Sequence, residues 1–84
     1  MGVTNNQPAK KKIGKGQYHY TDSNGKTWLL QNRGYYFQWQ TNMWSAYGQV
    51  PNAMRLQWNA ADLEISDTMK GLIQKIERKI SKEA

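Results

Sequence analysis

The stretch "RGYYFQWQTNMWSAYGQV", residues 33–50, carries six aromatic side chains and one charge, Arg33. How it pairs with itself and with its neighbours decides which rings are buried. Thr41-Asn42 is expected to turn a hairpin that sets Trp39 opposite Trp44, Phe37 opposite Ala46 and Tyr35 opposite Gly48. The alternate face then pairs Tyr36 with Tyr47, Gln38 with Ser45 and Gln40 with Met43. Side chains along a strand point to opposite faces in turn, so a slip of one residue would invert every assignment.

Upstream, Asn32-Arg33-Gly34 reads as a second turn, placing Leu29 against Phe37 and Leu30 against Tyr36. Before it, "YHYTDSNGKTWLL" holds Asn24-Gly25 between β-favouring runs, the strongest short hairpin signal. This register predicts one apolar face of Leu29, Tyr35, Phe37, Trp39, Trp44 and Ala46, the core side. The other face carries Trp28, Leu30, Tyr36 and Tyr47 among His19, Gln38, Gln40 and Ser45. Surplus rings are expected there, facing water.

Downstream, Ile65, Met69, Leu72, Ile73, Ile76 and Ile80 recur at helical spacing and form one apolar stripe. Ser66 or Asp67 can cap its start, and Lys79 and Lys82 suit the negative end of the helix dipole. Lys70, Lys75, Arg78, Lys79 and Lys82 spread over the opposite side as a basic face. Between sheet and helix, residues 51–64 support two readings: a strand after a Pro51-Asn52 turn, or a helix starting at Pro51. The expected fold is α+β, an antiparallel sheet of three to four short strands packed against a C-terminal amphipathic helix. Residues 1–15 read as a disordered basic arm and 16–84 as a single small domain.

The chain has 84 residues, a formal net charge of +6 and no cysteine, so neither a disulfide framework nor a cysteine-type zinc site is available. Nothing reaches the roughly 20 apolar residues of a membrane span, and "MGVTNN" has Asn6 where a myristoylation site has Ser or Thr. A cytoplasmic protein without membrane attachment is expected. Lys10, Lys11, Lys12 and Lys15 form a basic run without an acid, beside a nearly neutral aromatic body. That combination points to a polyanion partner, though the run also suits a tail that merely aids solubility.

No catalytic constellation is present. The single histidine, His19, has no adjacent acid or nucleophile, and Asp62, Glu64 and Asp67 cluster where helix capping explains them. Neither an enzyme, a metal nor a cofactor is expected. Trp28, Tyr36 and Tyr47 fit either a second buried layer or a platform for stacking bases, with Gln38 and Gln40 bonding base edges and Arg33, Arg55 and the lysine arm meeting phosphates. The reading is a small nucleic-acid-binding protein. The alternative is an inhibitor or adaptor that grips a partner protein with the same rings, and carbohydrate binding is third.

The order "GYYFQWQTNMWSAYGQVPNAMRLQWNAADLE", residues 34–64, resembles small three-strand-plus-helix DNA-binding domains. These include the arm-binding domains of tyrosine recombinases and a small bacterial DNA-binding cell-division activator. The resemblance implies a sheet that enters the DNA major groove and favours DNA over RNA. Such sheets usually expose Arg or Lys, where this one offers Gln38, Gln40, Ser45 and Arg33.

Overall fold

The computed structural model describes residues 8–83. Five strands form one antiparallel meander in chain order: β1 (Ala9–Gly14), β2 (Gln17–Thr21), β3 (Thr27–Tyr36), β4 (Thr41–Gln49) and β5 (Trp58–Ser66). One helix, α1 (Met69–Glu83), follows. The α+β class is as expected; the sheet has one or two more strands.

The additional strand comes from the basic segment. Residues 9–14, expected to be part of a disordered arm, pair with β2 through Lys10↔Tyr20, Lys11↔His19 and Lys12↔Tyr18. Residues 1–7 of that arm lie outside the described residues. Lysines are common on edge strands, where their charge discourages pairing with another chain. Of the two readings for residues 51–64, the strand holds from Trp58 onward.

The Asn24-Gly25 hairpin forms as read, and Asp22 fixes it. This buried residue accepts the N–H groups of Asn24 and Lys26 on Oδ1, both at 2.9 Å, and the Trp28 indole N–H on Oδ2 at 2.9 Å. A buried carboxylate needs such partners, because an unpaired one is costly to desolvate.

The second and third expected turns are corrected. Asn32-Arg33-Gly34 is no turn but a bulge within the ten-residue β3, where the register shifts between Asn32↔Trp44 and Gly34↔Met43. Gly34 has φ +104°, open to glycine at no steric cost. The β3–β4 hairpin turns at residues 37–40 rather than Thr41-Asn42. Trp39 N–H bonds to Tyr36 C=O, Gln40 N–H bonds to Phe37 C=O, and Gln40 is left-handed at φ 54°. The pairs are therefore Leu30↔Ala46 and Leu29↔Tyr47, not Tyr36↔Tyr47 or Trp39↔Trp44.

The faces exchange members accordingly. Tyr20, Trp28, Leu30 and Ala46 are buried on one side of the sheet against Leu72 and Ile76 of α1. Tyr18, Trp44, Met69, Ile73 and Ile80 pack around them. Tyr35, Phe37 and Trp39, expected in the core, are exposed.

Helix α1 begins later than its apolar stripe. Ile65 belongs to β5, and Thr68 is the cap, its Oγ1 accepting the Gly71 N–H at 2.9 Å. Gly71 has to be small, because a Cβ there would come within 2.5 Å of Ser66 Oγ. This close approach lets the helix turn back from the end of β5 and lie across the sheet.

Candidate functional site

Charge is distributed unequally between the two faces. On the helix side, Asp62 pairs with Lys26 and, at 3.3 Å, with Lys79, which also lies 3.9 Å from Glu64. Gly48 makes room for this cluster, since a Cβ there would stand 2.1 Å from Asp62 Oδ2. Burial alone would raise the Asp62 pKa, but hydrogen bonds and charge from Lys26 and Lys79 hold it below the ordinary carboxylate value. Glu77 accepts hydrogen bonds from Tyr20 Oη and Ser23 Oγ, each at 2.6 Å, and from the Ser23 N–H at 3.3 Å. These bonds outweigh burial and lower its pKa too. Burial, the Glu77 hydrogen bond and nearby negative charge push Tyr20 well up.

The other face has no helix. The ladder places Lys11 on β1, Gln17 and His19 on β2, Leu29 and Gln31 on β3, Ser45 and Tyr47 on β4, and Leu63 and Ile65 on β5 along it. Trp58 joins them, its indole centroid 5.4 Å from the His19 ring. Two strands separate β5 from β2, so this contact requires the sheet to curl towards its open side. Leu29 lies between them in the ladder and is half-buried. Arg33, on this side by the alternation of β3 and left unpaired by the bulge, donates from Nη1 to Tyr47 Oη at 2.7 Å, fixing the phenol and leaving guanidinium N–H groups in solvent. Ser45 is buried there, and its Oγ has no hydrogen-bond partner among the described residues.

None of the described carboxylates lies in the open face's ladder. Asp22, Asp62, Glu64 and Glu77 are held on the helix side, and Asp67 lies in the link to α1. Among the described residues no ion pair involves Lys11, Lys15, Arg33 or Arg55. This face is accordingly cationic and aromatic.

The expected site residues are dispersed. Tyr47, Arg33 and Lys11 meet on the open face. Trp28 does not: it is buried under α1, with the Lys26 ammonium 4.6 Å from its ring centre. Lys10 stands 5.7 Å from the Tyr18 ring on the helix side, where alternation also puts Lys12. Lys15 is exposed in the β1–β2 turn, and Arg55 in the loop before β5. Tyr36, Gln38 and Gln40 belong to the β3–β4 tip, beyond the five-stranded sheet. Sequence reasoning left out Trp58, Leu29 and Gln31. The hairpin at Asn24-Gly25 held the signal for Leu29, since it sets that residue opposite His19.

Beyond Gln31 on β3 and Trp44 on β4 the outer strands end, and residues 33–43 continue as a two-stranded ribbon. Tyr35 meets Phe37 edge-on at 5.4 Å, and Tyr36 lies 6.2 Å from Trp39. A wide groove of 610 Å³ opens between the ribbon and the start of the helix, lined by Trp39, Ile65, Ser66, Asp67 and Lys75.

Among the described residues no three His, Asp or Glu side chains gather as they would around a metal ion. No helix among the described residues is long and apolar enough to cross a membrane. No protein family, curated protein or solved structure matches the chain.

Proposed function

We propose that this protein binds nucleic acid in single-stranded form along the open face of its sheet. One observation carries the reading: a face on which none of the described carboxylates lies, where Tyr47, His19 and Trp58 offer rings while Arg33 and Lys11 offer positive charge. Bases stack on such rings whatever their sequence, and cations follow the backbone by releasing its counterions. Duplex DNA hides its base faces, which leaves the rings without their flat partners. From the level of Trp58 to that of Arg33 the track runs about five residues of β4, about 17 Å at about 3.3 Å per residue. That length suits a few extended nucleotides.

The test is an NMR titration with short single- and double-stranded oligonucleotides. Amides of His19, Leu29, Gln31 and Tyr47 should shift with the single strand, and the affinity should fall as salt rises. Silence from both oligonucleotides would overturn the reading. It would leave the same rings to the alternative, a partner protein.

A further inference from the structure

We propose that the β3–β4 ribbon is an interface between two copies of this chain, the tip of each seated in the other's groove beside β4. Three observations meet at the ribbon. The first is exposure: Phe37 is 84% exposed and Tyr35 56%, the most exposed rings of the molecule. The second is the backbone. Among the described residues, 33–43 have no neighbouring strand on either side, and two strands alone are only marginally stable in water, whereas three or four hold together.

The third observation selects the occupant. No charged residue occurs between Arg33 and Arg55 in a chain of net charge +6. That uncharged stretch can meet its own copy without like-charge repulsion. It also offers nothing to neutralise phosphates, so the proposed nucleic-acid ligand gains little there. The sheet's own edges suit self-pairing less, because β1 would set Lys10, Lys11 and Lys12 against the same three lysines and β5 would bring Asp62 and Glu64 of the two copies together.

The geometry narrows the contact further. On the β3 side the ribbon edge is broken by the Arg33 bulge, while on the β4 side Thr41–Met43 continues a regular strand. Beside that edge opens the 610 Å³ groove walled by Trp39, Ile65, Ser66, Asp67 and Lys75, wide enough for a phenyl ring. A twofold axis normal to the sheet makes the contact reciprocal, so it closes at two copies. It also keeps the two open faces on the same side.

Sedimentation equilibrium across the micromolar range tests this without any ligand. The natural chain should sediment as a monomer–dimer equilibrium that rising salt leaves unchanged or tightens, since salt screens the net repulsion of two basic copies. Phe37→Lys should weaken the dimer by about tenfold or more, with its melting temperature little changed. Asn42→Cys supplies a second readout in a chain without cysteine, because the twofold axis sets this exposed residue, at the centre of the paired Thr41–Met43 edges, beside its own copy. Mild oxidation should cross-link it into a dimer, whereas Met54→Cys, fully exposed in the loop between β4 and β5, should remain monomeric in a denaturing gel. A natural chain that stays monomeric throughout, a Phe37→Lys variant that dimerises as before, or cross-linking at position 54 instead of 42 would each overturn the proposal.

Discussion

Leu29 and Leu30 are adjacent in the chain and live in different environments. Leu30 is fully buried between the sheet and α1, while Leu29 points the other way, half-covered, between His19 and Tyr47. The whole sheet divides along that line. One face gathers Tyr20, Trp28, Ala46, Leu72 and Ile76, and its carboxylates are bonded to lysines, hydroxyls or an indole. The other leaves rings half-exposed, a cation free and no carboxylate in its ladder. On the proposed function, stability and recognition are thus assigned to alternate residues of the same strands. The two tasks can change independently because a strand separates successive side chains completely.

The sharpest way to break this contrast is to truncate the two leucines in turn. Leu30→Ala removes a fully buried side chain where the helix lies over it, and should cost about 2–5 kcal/mol in denaturant unfolding. Leu29→Ala should cost less than half as much, because part of its surface is already in water. Equal losses would mean that the open face is packed as tightly as the covered one.

The sequence pattern pointed the other way for these two residues, and the reason is a single insertion. The Asn24-Gly25 hairpin was legible because a tight turn has strong local chemistry, and the helix because an apolar stripe at helical spacing has few alternatives. Asn32-Arg33-Gly34 has the composition of a turn and acts as a bulge. Taking it as a turn folded residues 35–40 back over Leu29 and reversed the parity of Trp28 and Leu30. A bulge and a turn use the same residue types, and only long-range pairing tells them apart. The β1 strand was hidden for a similar reason: three lysines look like a solvated arm, yet alternate on an edge strand with both faces near water. Of the candidate site, Tyr47 and Arg33 were legible. Trp58 was not, because its contact with His19 depends on the curl of the sheet.

Effects on recognition should be smaller and should leave the fold intact. Tyr47→Ala and Trp58→Ala each remove a half-buried ring from the open face, and each should weaken single-strand binding by about 1–3 kcal/mol. Their melting curves should move little compared with that of Leu30→Ala. Tyr47→Ala also frees Arg33 from its phenol, so Tyr47→Phe separates the two contributions: stacking is kept and only the 2.7 Å hydrogen bond is lost. Fluorescence anisotropy with a labelled oligonucleotide reads both. If the variants unfold, the open face belongs to the core.

The smallest expected effect concerns acid, and it belongs to the covered face alone. Glu77 is held below its ordinary value of 4.5 because hydrogen bonds from Ser23 and Tyr20 outweigh the cost of its partial burial. A carboxyl group whose pKa is lowered on folding binds its proton more readily in the unfolded chain. Its stabilisation is therefore fully present above about pH 4.5, and is lost as pH falls below that towards the folded-state value. Tyr20 gives the mirror case: its pKa is raised from 10.0, so its contribution holds below that pH and is lost in stronger alkali. Glu77→Gln keeps the shape and removes the charge. At neutral pH it should cost about 1 kcal/mol, the ordinary worth of a hydrogen bond lost or weakened at a partly exposed site. The gap between Glu77→Gln and the natural chain should close as pH falls through the acid window, because both then carry a neutral side chain. None of the described carboxylates lies on the open face, so Tyr47→Ala should keep a constant offset in unfolding free energy from the natural chain across the same range. Urea unfolding of the three proteins from neutral pH down through the acid window reads these differences directly. A Glu77→Gln gap that persists in acid would show that the residue acts through shape rather than charge.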